Sequence, residues 1–186
     1  MTGPFSGVIA EHRDAIREVL KTHAVIMFGL TCLGYFGYSL VQSLLGGWGE
    51  IGVGGSVVTD SSELLAILRN NLAFFTVVCF LPILNAVLVI PQFLVLGVKM
   101  RLISDLPLDA QFVLLYRHAV LEAIALFLAI GVSYGILLSS KRFLDSLKSS
   151  RAVYWRQLLA LLPAYVLTVV LTLIGAVLEG TVNVHV

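Results

Sequence analysis

The sequence predicts an all-α, polytopic membrane bundle of about five transmembrane helices, led by an N-terminal amphipathic helix. Three observations predict it. Hydrophobic residues make up 59% and charged residues 12% of the 186-residue chain, with a mean hydropathy of +0.98, whereas a water-soluble domain carries about 25% charge. The apolar residues gather in runs that reach the roughly 20 residues a span needs. Basic residues gather in two short segments that a five-span chain places on one side of the membrane. Too few polar residues remain to cover a globule in water, so the bilayer is the expected solvent. A single membrane domain is expected over residues 24–180, with a short tail at 181–186.

Residues 4–22 place Val8, Ile9, Ala15, Ile16, Val19 and Leu20 at helical spacing, with Ser6 as a cap and charges of both signs on the other face. This pattern predicts an amphipathic helix over residues 1–23 that lies on the membrane surface or docks a partner. The first span, residues 24–45, carries Gly29, Gly34 and Gly37, which permit close helix packing. The Gly-rich stretch after it lacks Lys and Arg and reads as an exposed loop, with Trp48 at an interfacial position. It is no phosphate loop, because no Lys follows it and no strand precedes it.

Ser61 or Ser62 caps the next helix, which opens a run that stays apolar from Leu64 to Met100. As one helix this run would be roughly 55 Å long, against a hydrocarbon core of about 30 Å, so it must fold back. Pro82 and Asn85 mark the turn, because proline breaks the backbone ladder and disfavours helix before it. The second and third spans are therefore placed at 64–81 and 83–101. Pro91 kinks the third, and Gln92 beside it needs a polar partner at membrane depth. Gly97 adds a small packing residue. A short loop with Pro107 leads to a fourth span at 111–139, long enough to tilt or project. Gly131 and Gly135 in it have small-xxx-small packing spacing. A basic connector follows, in which Leu144 and Leu147 suggest a short interfacial helix. The fifth span, 153–178, has Tyr154 and Trp155 as an interface anchor and Pro163 as a mild kink.

Charge tests the count. Arg13, Arg17 and Lys21 lie near the N-terminus, and Lys141, Arg142, Lys148 and Arg151 lie in the late connector. Five spans put both groups in the cytoplasm, with the N-terminus inside and the C-terminus outside a cell membrane. A single crossing by residues 64–101 would separate them. Lys99 and Arg101 fall outside in this scheme, where Asp105 and Asp109 lie close by. A net charge of +1 offers no field for nucleic acid. Cys32 and Cys79 lie in apolar runs without metal or redox spacing and read as buried free thiols. A cleavable signal peptide is not expected, because the first apolar run starts late, is long and has no small-residue cleavage pattern.

The polar residues at span depth are the candidate site. Arg117, His118 and Glu122 lie in the fourth span, with His118 and Glu122 four apart and thus on one helix face. An ionisable residue inside a span is a functional-site candidate. A charged Glu at that depth costs several kcal/mol unless it is neutralised by a proton or a partner, and Arg117 and His118 are the nearest candidates. Asn70, Asn71, Asn85 and Gln92 are candidates to meet this face from other helices. Three readings stand side by side: a hydrogen-bonded cluster that fixes packing, a binding or relay site for a peptide, lipid or proton, and an intramembrane hydrolase. Gly-x-Ser-x-Gly, HExxH and paired-Asp motifs do not occur, and zinc needs three or four ligands where only His118 is well placed. No catalytic residue, metal or cofactor is therefore assigned.

Three stretches resemble one family. R-N-N-L at 69–72 opens an apolar span, Q-F-L-V-L-G at 92–97 keeps a Gly, and R-H-A-V-L-E at 117–122 keeps a His and a Glu, followed by A-I-G-V-S-Y-G. Together they resemble the integral membrane proteins related to stage II sporulation protein M. The family's corresponding boxes have Asn-Gly where this chain has Gln92-Phe93, and Pro-His-Gly where it has Arg117-His118-Ala119. The resemblance covers about residues 60–140. It implies no catalytic activity. It implies a membrane accessory in peptide export, bacteriocin immunity or envelope remodelling, working with other membrane proteins or as a homo-oligomer. The alternative is a transporter subunit or intramembrane enzyme that uses His118 and Glu122.

Overall fold

The computed structural model describes residues 4–45, 61–145 and 151–180. The Gly-rich stretch with Trp48, connector residues Leu147 and Lys148, and the tail lie outside the described residues, as do the side chains of Ser6, Val8, Ile9, Ser61, Ser62 and Arg151. Among the described residues the regular structure is entirely helical. Helix α1 spans Pro4–Phe36, α2 Tyr38–Leu45, α3 Ser61–Phe80, α4 Asn85–Leu102, α5 Leu108–Gln111, α6 Arg117–Asp145 and α7 Arg151–Gly180. A 3₁₀ turn at Pro82–Leu84 joins α3 to α4, and a π-helical turn at Phe112–Tyr116 joins α5 to α6. Among the described residues three stretches are long and apolar enough to cross a membrane: Arg13–Phe36, Leu108–Leu144 and Val153–Glu179. The outward faces of α1 and α7 are apolar, with Val25, Phe28, Phe36, Leu159, Leu162 and Val166 exposed. Such a surface suits a lipid bilayer rather than water.

The N-terminal boundary differs from expectation. The sequence placed a surface helix over 1–23 and a separate span from 24, but α1 runs through that boundary unbroken. The polar residues there do not interrupt the ladder. Thr22 Oγ1 donates back to the Glu18 carbonyl at 3.0 Å, and His23 Nδ1 lies 2.8 Å from the Val19 carbonyl. The interruption falls at Gly37, although Gly37 N still donates to Leu33 O at 2.8 Å. The connector differs likewise, since α6 carries Leu144 in continuous helix to Asp145.

The fold-back lies where length arithmetic put it, at Pro82 and Asn85. Proline 82 has no N–H to give the Val78 carbonyl, which a continuing helix would supply from that position. With its amide oriented to satisfy its neighbours, Asn85 fills the gap: Nδ2 donates to Val78 O at 2.8 Å and Leu81 O at 3.2 Å, and its oxygen accepts from Ser133 Oγ at 3.1 Å. Asn85 therefore belongs to the turn and to α6, not to the Glu122 face where the sequence offered it as a candidate. The second turn is organised by buried Gln111. Its Nε2 donates to Leu106 O at 2.7 Å and Ser104 O at 3.3 Å, and its Oε1 accepts from Tyr116 Oη at 3.0 Å. Replacing it by Leu should leave these groups unsatisfied and cost about 2 kcal/mol. A thermal midpoint in detergent that is lowered for Gln111→Leu and unchanged for exposed Asp109→Asn would show this.

The most extensive helix pairings are α6 with α7 and α1 with α4, while α3 packs on α6 and α7. Helices α1 and α4 meet at Gly34 and Gly97. A Cβ on Gly97 would strike the Thr31 carbonyl and lie 2.7 Å from Tyr35 N; one on Gly34 would strike the Leu94 carbonyl. Gly135 faces the Leu161 side chain, with 2.7 Å between an added Cβ and its Cδ2. Gly29 and Gly131 were expected to pack as well, but a Cβ on either meets nothing within 4 Å. Spacing alone selected them, and helix rotation turns them away from the neighbours. The core between these pairs is built from Met27, Phe75, Val78, Cys79, Phe93, Ala125, Leu126, Ala129 and Ile130. The buried hydroxyls of α7 are satisfied within that helix, where Thr168 donates to Ala164 O at 2.9 Å and Thr172 to Thr168 O at 2.8 Å. Cys32 and Cys79 are free thiols, half-buried and buried. Near the connector Tyr154 Oη lies 3.3 Å from Ser140 Oγ and its ring 5.0 Å from Phe143, with Trp155 exposed. Arg101 pairs with Asp105 at 3.8 Å, a partner that the sequence had placed beside it.

Candidate functional site

Because α4 packs chiefly on α1 while α3 packs on α6 and α7, a gap remains between α3 and α4. The gap is a cleft of about 220 Å³. Its walls bring together Asn70 and Asn71 from α3, Gln92 from α4 and Glu122 from α6. These are four of the seven polar residues singled out in the sequence, the others being Asn85, Arg117 and His118. Asn70 and Gln92 are exposed at its mouth; Asn71 and Glu122 are half-buried; Phe75 and Phe93 are buried, 5% and 7% exposed, and form its floor.

Glu122 finds a different partner from those expected. Asn71 Nδ2 donates to Glu122 Oε1 at 3.2 Å. Among the described residues no ion pair joins Glu122 to Arg117 or His118. Arg117 is engaged elsewhere, with one guanidinium N–H donated to Leu178 O at 2.8 Å. That carbonyl belongs to the last turn of α7, where orphan acceptors and the negative end of the helix dipole favour a cation. Arg117 is thus a helix cap. His118 is 5% exposed, does not line the cleft, and its Nδ1 has no hydrogen-bond partner among the described residues.

Helix α7 closes the back of the site. An added Cβ on Gly175 would lie 3.4 Å from Glu122 Cγ and 3.9 Å from the His118 carbonyl, so the absent side chain gives Glu122 its room. Glu179, one turn further along, and Lys99 on α4 both act electrostatically on Glu122 and His118. The sequence reading passed over Gly175 and ended the fifth span one residue before Glu179. Their i, i+4 spacing within an apolar run was the signal available for them.

The arrangement can bind hydrogen-bonding groups. It offers one carboxylate and three primary amides against phenyl rings. Among the described residues no Ser, Thr or Cys lines the cleft. Among the described residues no three His, Cys, Asp or Glu side chains gather into a metal-holding group. The chain matches no family model, no curated protein and no solved structure.

Proposed function

We propose that this membrane protein works by binding, as a non-enzymatic assembly, immunity or export accessory whose cleft receives a polar group inside the bilayer. The observation that supports this most is the cleft itself, with Asn70 and Gln92 exposed beside Glu122. In the five-span arrangement α3 and α4, 20 and 18 residues long, each cross a core of about 30 Å. The N-terminus is then cytoplasmic and the C-terminus outside, and Arg13, Arg17, Lys21, Lys141 and Arg142 share the cytoplasmic side. Asn71 and Gln92 then lie near mid-membrane. An unpartnered amide there costs several kcal/mol, so an occupant that bonds to it is strongly held.

The likeness to the sporulation protein M-related proteins supports the same reading. Gln92 and Glu122 line the cleft, and Gly97 allows α1 and α4 to meet. A transporter subunit is the second reading, supported by Pro91 inside α4 next to Gln92, where the missing proline N–H leaves one helical carbonyl without its ladder donor.

The test is affinity purification in gentle detergent from native membranes, wild type against Glu122→Gln at matched expression. The expected result is a defined membrane partner retained by wild type and depleted about tenfold in the variant, equivalent to one lost charge-assisted hydrogen bond. Solitary monomers with no co-purified ligand in both, or the same partner in equal amount in both, would reject the binding reading.

A further inference from the structure

We infer that the cleft selects a protonated primary amine, supplied either as an aminophospholipid headgroup or as a free alkylammonium. The inference rests on the binding reading above and names its ligand chemistry. Among the described residues Glu122 is the one ionisable side chain on the cleft wall, and no cation lines the cleft. An anion would therefore meet a carboxylate with nothing to offset it. Among the described residues Glu122 accepts one hydrogen bond, from Asn71, whereas an ionised carboxylate has about four acceptor positions. Lys99 and Glu179, the charged neighbours that act on it, have opposite signs.

The remaining groups match an ammonium in number and kind. An ammonium has three donors and no acceptor. Glu122 and the amide oxygens of Asn70 and Gln92 supply three acceptors around the space. Phe74, Phe75 and Phe93 supply aromatic walls, which attract an organic cation in a desolvated site. A metal ion fits less well. Calcium takes about six to eight oxygen ligands, and the wall has a single carboxylate. Size agrees with an organic group, since a cavity of about 150 Å³ already holds a benzene-sized molecule and this one measures about 220 Å³. The mouth opens between α3 and α4 at exposed Asn70 and Gln92, which allows sideways entry from a lipid layer.

Two paired comparisons on the purified protein test this. In native mass spectrometry from mixed micelles, retention of phosphatidylethanolamine is compared with that of phosphatidylcholine, whose headgroup nitrogen has no N–H. In thermal unfolding, n-propylammonium is compared with n-propanol. Retention of the ethanolamine lipid about tenfold above the choline lipid, abolished in Glu122→Gln, supports a lipid source. A saturable rise in midpoint with propylammonium but not propanol, also abolished in Glu122→Gln, supports a soluble amine. No preference in either pair, or a preference that survives in Glu122→Gln, overturns the inference. If Glu122→Gln does not fold, both contrasts still decide on wild type, and Gln92→Leu at the exposed mouth should weaken them several-fold. A membrane partner lost in Glu122→Gln without any ammonium preference would overturn this inference and leave the binding reading standing.

Discussion

Gly97→Val is expected to destabilise the bundle by about 2–3 kcal/mol, the scale of overpacking in a well-packed core. Its added Cβ meets backbone, not a side-chain tip. The Thr31 carbonyl lies in its path and Tyr35 N is 2.7 Å away. Neither can move without shifting α1 as a body, and α1 with α4 is one of the two most extensive pairings in the fold. Gly34→Val should act alike, through the Leu94 carbonyl and carbon, the latter 3.0 Å from the added atom. Gly29→Ala and Gly131→Ala are the controls. Each adds a Cβ into open space, and replacing Gly by Ala in a helix interior is worth up to about 1 kcal/mol in propensity. The measurement is unfolding in mixed detergent–SDS micelles for all four variants. A Gly97→Val midpoint equal to wild type would mean that α1 and α4 do not cross at this point.

These glycines show where sequence reasoning stops. Spacing marks Gly29, Gly34 and Gly37 equally, because all three sit in one apolar run. Which of them faces a partner depends on helix rotation, and the almost wholly apolar run over 24–45, read as a span by itself, has no polar face to set that rotation. The fold-back at Pro82 was legible for the opposite reason. It follows from run length, bilayer thickness and proline's missing donor, and no tertiary contact enters the argument. The candidate site was legible to the same degree. Polar residues are conspicuous in apolar runs, so Asn70, Asn71, Gln92 and Glu122 were found, and the structure brings them to one cleft. Their partners were less legible. Arg117 bonds to a backbone carbonyl on α7, and every residue has such a carbonyl, so composition cannot single it out. Gly175 matters through the space it leaves beside Glu122, and its i, i+4 spacing to Glu179 marks the pair without revealing that role.

Asn85→Leu is the other variant with a large expected effect. Asn85 is 3% exposed and Val78 is 0% exposed, so a polar group abandoned there has no water to turn to. The Val78 carbonyl needs the Asn85 amide because Pro82 stands where the helical donor would be. The Leu81 carbonyl has a second donor, Leu84 N at 3.0 Å, and loses less. The Ser133 hydroxyl, also buried, loses its acceptor. Each buried group left unsatisfied costs about 1–3 kcal/mol, so the variant should lose about 2–4 kcal/mol in all. Ser133→Ala separates the contributions. Alone it should cost about 1 kcal/mol. In the Asn85→Leu background it should cost nothing or recover stability, because the hydroxyl it removes has already lost its partner. Unfolding of the two single variants and the double variant in the same micelles measures this coupling. Strict additivity would mean that Asn85 and Ser133 do not bond, and that α6 is held to the α3–α4 turn by packing alone.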